Sequence, residues 1–153
     1  MSSNIERFDQ LTGAVFARLY EAFPEPVVLD AYPFLAEIVP AGQDEDAESE
    51  QAFGAPEFFF HTLHWLAETG YLTHRKQLQS SPLTFEECVL TAKGLEVLKA
   101  VPKSIGSSKS IGQSLQEAAK KGAMDSVKKL AGEALSAGTH LAVGFAKAHL
   151  GHY

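Results

Sequence analysis

The stretch from Pro56 to Leu90 constrains the fold more than any other part of the chain. Phe59, Leu63 and Leu66 fall on one helical stripe, with Phe60 and Ala67 beside it, and this spacing predicts a helix over 56–69. Pro56 stands at its expected start, where a missing N–H costs nothing. Gly70 is placed to end it in the left-handed conformation. Residues 71–78 then read as a strand, Ser80-Ser81-Pro82 as a turn, and 83–90 as a second strand in which Phe85, Cys88 and Val89 supply the apolar and β-forming content. A helix that stops on a glycine and runs directly into a hairpin implies an α+β fold.

The flanks extend the pattern. Ile5, Phe8, Leu11, Val15, Phe16, Leu19, Tyr20 and Phe23 predict a helix over 4–23, with Asn4 as its N-cap and Pro24-Glu25-Pro26 as its end. Val27-Val28-Leu29 reads as a short strand. Asp30 is suited to cap a helix over 31–38 that Pro40 stops. Residues 41–54 hold five acids between Asp44 and Glu50 and read as a solvated acidic loop; a calcium loop lacks its turn glycine and its terminal bidentate ligand. Thr91 is expected to cap a helix over 92–101, with Leu95, Leu98 and Val101 inward and Pro102 closing it. The order is helix, strand, helix, helix, strand, strand, helix.

That order is the order of a winged helix-turn-helix. The run from Phe60 through His61, Thr62, His64 and Trp65 to Gly70-Tyr71-Leu72 resembles the third helix of such a domain and its exit into the wing. Leu90-Thr-Ala-Lys-Gly-Leu-Glu-Val-Leu98 is similar to the Leu-Thr-x-x-Gly-x-x-x-Leu run that follows the wing in PadR-like and MarR-like regulators. The resemblance spans residues 5–102. It implies DNA binding, with the third helix in the major groove and the wing on the backbone. His61, Thr62 and Trp65 are then the residues near bases, and Arg75 and Lys76 those on phosphates.

Charge points elsewhere. Residues 1–102 carry six cations against sixteen acids, a net of −10, whereas residues 103–153 carry seven lysines against three acids, a net of +4. Duplex affinity comes largely from neutralising phosphates with Lys and Arg. The helix expected over 56–69 has neither, and it has Glu57 and Glu68 instead. The sequence therefore favours a protein partner on the face of His61, Thr62, Trp65, Arg75 and Lys76, and disfavours nucleic acid; Trp65 and Tyr71, at the junction of helix and wing, read first as core packing and, if exposed, as interaction anchors.

Other constellations are thin. His61 and His64 share a helical face, but no carboxylate or cysteine completes a metal set with them and His74, and no metal or other cofactor is expected. The single cysteine, Cys88, excludes an intrachain disulfide and reads as a small buried hydrophobe in a strand. Glu86 and Glu87, as strand neighbours, are expected on opposite sides. There is no phosphate loop and no nucleophile elbow, so no enzymatic activity is expected. The N-terminus lacks the basic-then-apolar pattern of a secretory leader, and a cytoplasmic, bacterial protein is expected.

Composition shifts near residue 103: nine of the ten Phe, the only Trp and all seven Pro precede it. The division this suggests is a winged-helix domain over 4–102, a flexible linker over 103–113 and a helical extension over 114–150. In the extension Leu115, Ala118, Ala119, Val127, Leu130, Ala131, Ala134 and Leu135 lie on a broad apolar face, with Lys120, Lys121, Lys128 and Lys129 elsewhere on the wheel. Ala134, Gly138, Ala142 and Ala146 recur every four residues, a spacing that lets helix backbones approach closely. Three roles follow: packing on the chain itself or on a second copy, lying on an anionic membrane surface, or inserting into a membrane, which Glu133, His140, Lys147 and His149 make costly. The expected protein is a non-enzymatic regulatory or interaction module; a DNA-binding regulator and a membrane-associated protein are the alternatives.

Overall fold

A computed structural model describes residues 3–31, 34, 45–75, 84–101 and 108–150, with the backbone alone for 45–56 and 142–150. The elements are α1 (Asn4–Ala22), β1 (Val27–Asp30), α2 (Glu45–Glu68), β2 (Leu72–Thr73), β3 (Thr84–Leu90), α3 (Ala92–Lys99), α4 (Ile111–Lys121) and α5 (Met124–Leu150). Among the described residues the fold is α+β, with five helices and one antiparallel sheet of strand order β1-β3-β2. Lys76, the turn expected at 80–82 and most of the helix expected over 31–38 lie outside the described residues; Ala31 and Phe34 are helical and buried.

Helix α1 is the centre of the molecule. Ser3, not Asn4, caps it, accepting from the backbone N–H of Glu6 at 3.2 Å. Leu11, Val15, Phe16 and Leu19 are buried as their spacing predicts, but so are Thr12, Gly13 and Ala17. Helices cover α1 on more than one side, and the residues at its start lie beyond that cover, leaving Ile5 70% exposed.

The sheet departs from simple alternation at one place. Val27 pairs with Cys88 but Leu29 with Phe85, so β3 carries one more residue than β1 between those pairs. Glu87 adopts φ +54° within this bulge. The extra residue keeps Phe85 and Cys88 both buried and turns Glu86 and Glu87 both outward. These two glutamates were expected on opposite sides of a regular strand; the bulge places both on Arg75 instead, Glu86 at 3.2 Å and Glu87 closer still.

Helix α2 begins eleven residues earlier than expected, at Glu45, so residues 45–54 are helical rather than a loop. The acids that suggested a solvated loop also suit a helix N-terminus. Glu45, Asp46 and Glu48 sit in its first turns, where the helix dipole favours negative charge, and Ala47, Glu48, Gln51 and Ala52 are good helix formers. At the other end Gly70 takes φ +87° as expected, and Tyr71 N–H bonds back to Leu66 O at 2.9 Å. Helix α3 is capped by Thr91, which accepts from Gly94 N at 3.0 Å. It ends at Lys99, so Val101 lies past its end and is 55% exposed; Val97 takes the inward place beside Leu98.

The C-terminal part is a pair of helices. Helix α4 starts at Ile111, inside the expected linker, because Ser110 and Gln113 form a capping box with bonds of 3.1 and 3.2 Å. Gly122, at φ +69°, ends it and α5 follows. Both helices pack on α1, on α3 and on each other. Ile111, Leu115, Ala118, Val127, Leu130 and Ala134 belong to the same core as Phe16, Phe59 and Phe85. Residues from both sides of the boundary expected at 103–113 thus contribute to one core.

Candidate interaction face

One face of α2 builds the core, and the other meets solvent. Phe59, Leu63 and Leu66 are fully buried. Glu57, His61, His64, Trp65 and Glu68 are exposed and recur at helical spacing along the opposite side. Thr62, expected among the contact residues, is only 3% exposed; it lies beside Leu66 at the edge of the apolar arc, and the covered side of α2 extends over it. The structure thus brings His61 and Trp65 together on one surface and removes Thr62 from it.

Trp65 is 43% exposed and is one of the few large apolar side chains at the surface. It is held in place from below. Phe8 meets it at 5.3 Å with the rings perpendicular, and Tyr71 lies nearly parallel at 6.2 Å. Tyr71 is in turn fixed by packing on Phe16 and by donating its hydroxyl to Leu135 O at 3.3 Å. Burial pushes the Tyr71 phenol above its ordinary value. Trp65 is therefore a rigid aromatic on a supported base, and Ile5 stands exposed one helical turn from Phe8.

Arg75, Lys93 and Arg7 are each engaged within the chain. Arg75 donates to Glu86 and Glu87, and these carboxylates raise its pKa further. Lys93 donates to Thr69 O at 2.7 Å and sits 4.3 Å over the Tyr71 ring. The Arg7 guanidinium lies 4.7 Å over Phe58. Along the stripe itself His64 approaches Glu68 at 3.9 Å and stacks on Phe60 at 5.9 Å.

The other chemistry considered has less support from the geometry. Among the described residues no three His, Cys, Asp or Glu side chains are grouped to hold a metal ion. Cys88 is fully buried and donates to Phe85 O at 3.4 Å; desolvation pushes its thiol up to about 12, so it is no nucleophile at neutral pH. A groove of about 630 Å³ between α1, β1 and α4 places Arg18 and Lys120 beside Glu21 and Asp30, a balance that selects no charge type. Among the described residues no helix is long and apolar enough to cross a membrane.

The small-residue stripe of the C-terminal part is turned inward where its side chains are described. Ala134 is fully buried, and a Cβ added at Gly138 would lie 2.1 Å from the Tyr71 hydroxyl oxygen. The side chains of Ala142 and Ala146 lie outside the described residues. Sequence reading missed Gly13, Gly94 and Gly112 as contact points; only their partners, not their spacing, reveal them. No protein-family model matches the chain, and no curated protein or solved structure matches it either.

Proposed function

We propose that this chain is a non-enzymatic interaction module built on an acidic winged helix, with the outer face of α2 as its docking surface. The strand order β1-β3-β2, with α2 running into β2 through Gly70, supports the winged-helix reading. One observation carries the function: Trp65 stands exposed and rigidly supported on a helical stripe that has Glu57 and Glu68 but no Lys or Arg. A supported, exposed Trp is the kind of residue that anchors protein interfaces. A stripe without cations lacks the charge that gives duplex DNA its affinity. Self-association through Ala134 and Gly138 has less support, since Tyr71 already occupies that surface. Membrane attachment has less support as well, since Leu115, Val127 and Leu130 spend their apolar area in the core.

Trp65 is the chain's only tryptophan, so its emission reports directly on this face. The test is titration with a mixed-sequence duplex of roughly 20 base pairs at about 50 and 200 mM salt. The expected result is no change in emission at either salt. A change in emission that weakens steeply with salt overturns the reading and makes the chain a DNA-binding regulator.

A further inference from the structure

We infer that the partner segment received by α2 is basic, and that it places a Lys or Arg against Trp65 between Glu57 and Glu68. The inference rests on the reading of this face as a docking surface and adds the chemistry of what docks there.

Three observations carry it. First, two other rings of this region already pair with cations of the chain. Arg7 lies over Phe58 at 4.7 Å and Lys93 over Tyr71 at 4.3 Å. Trp65 presents the most attractive ring face for a cation of the three residue types, yet no Lys or Arg of the described chain lies over it. Second, the outer stripe of α2 itself carries carboxylates and no Lys or Arg, while Arg7 and Lys93 beside it are held on Phe58 and Tyr71. Glu57 and Glu68 bracket Trp65 on the same exposed stripe, about 16 Å apart along the helix. Third, Arg75, just past β2, is held by both Glu86 and Glu87. Among the described residues here, the bulge sets two carboxylates, Glu86 and Glu87, against the one guanidinium of Arg75. A basic segment meets complementary charge across this surface, while an acidic one meets repulsion from both ends of the stripe. The apolar shoulder formed by Phe8 and the exposed Ile5 gives such a segment an anchor for one apolar residue beside its cation.

The test selects a displayed library of random peptides, about 12 residues long to match the stripe, on the full-length protein with counter-selection on Trp65→Ala. Trp65, Glu57 and Glu68 are all exposed, so their variants keep the fold, and circular dichroism verifies it. The expected outcome is enrichment of peptides with Lys or Arg next to an apolar residue. By fluorescence anisotropy such a peptide should bind at least about tenfold more weakly to Trp65→Ala and to the double variant Glu57→Lys, Glu68→Lys. Trp65→Phe, which keeps an aromatic face, should retain most of the binding. Enrichment of neutral or acidic peptides that still depend on Trp65 overturns the basic partner and leaves the docking face standing. Failure to enrich any peptide that depends on Trp65 overturns both.

Discussion

The two compositional halves of this chain differ in almost every respect, and the difference is one of fit. Residues up to 101 hold nine of the ten Phe and the only Trp; the remainder holds seven of the twelve glycines. In space the bulky groups of the first half press against the small residues of the second. A Cβ added at Gly112 would lie 2.6 Å from the Tyr20 ring, and one at Gly138 would meet Tyr71. At Gly13 the roles reverse, and Val127 of α5 approaches the backbone of α1. A change in composition along a sequence is easily read as a domain boundary. Here it marks two surfaces shaped for each other, one with knobs and one with gaps.

Deleting the second half breaks that fit and has the largest effect. Loss of buried Ile111, Leu115, Val127 and Leu130 alone removes roughly 6–12 kcal/mol of apolar burial. That is comparable to the whole stability of an ordinary domain, about 5–15 kcal/mol. A fragment of residues 1–102 is expected to show no cooperative thermal transition by circular dichroism. A cooperative melt close to that of the full chain would mean that the halves are separate domains after all.

Filling a single gap has the next largest effect. A Cβ at Gly94 would lie 2.1 Å from the Tyr71 carbonyl oxygen, which is backbone and cannot swing aside. Gly94→Ala is expected to lower stability by about 2–3 kcal/mol. Gly138→Ala meets the tip of the Tyr71 side chain instead, so its cost should fall by about 1 kcal/mol when Tyr71→Phe removes the hydroxyl. Urea titration of the single and double variants measures both. Strict additivity would show that Gly138 and Tyr71 do not share a constraint.

Much of the architecture is legible in the sequence. The stripe Phe59-Leu63-Leu66, the stop at Gly70 and the cap at Thr91 are local signals, and each acts through neighbours three or four residues away. His61 could likewise be placed on an outer helix face by spacing alone, whereas Trp65 reads as core packing in the sequence and is instead 43% exposed. What stayed hidden depends on contacts across the chain. Thr62 points inward because α2 is covered over a wider arc than its leucines suggest. The bulge at Glu87 depends on how β1 pairs with β3, which no local pattern records. The packing of α4 and α5 on the rest of the fold rests on glycines whose partners lie more than 60 residues away in sequence, Gly112 with Tyr20 on α1 and Gly138 with Tyr71.

Helix α1 also contains a site where the fit is incomplete. Thr12 is fully buried, and its hydroxyl finds no hydrogen-bond partner. A buried, unpaired hydroxyl costs about 1–3 kcal/mol, and Val has nearly the same shape and helix propensity as Thr. Thr12→Val should therefore raise stability by about 1 kcal/mol, seen as a rise in Tm of roughly 2–4 °C. A lower Tm would mean that the hydroxyl is paired in solution.

The smallest expected effect is the sharpest control on the knob-and-gap account. Gly132 lies in α5 beside buried Ala131, yet a Cβ there meets nothing within 4 Å. It has the same residue type as Gly138, on the same helix, six positions earlier, but nothing presses on it. If the glycines of this region are there only because it is a loosely ordered, flexible tail, alanine should have similar effects at both places. If each glycine matters through what presses on it, the two substitutions should differ in sign. Helix propensity favours Ala over Gly by about 0.5–1 kcal/mol. Gly132→Ala is expected to gain about that amount, and Gly138→Ala to lose stability through Tyr71. Thermal melts of the two variants side by side decide it, since a destabilised Gly132→Ala would show that α5 tolerates no added atom and that its packing is not specific to the points where Tyr71 and Val127 make contact.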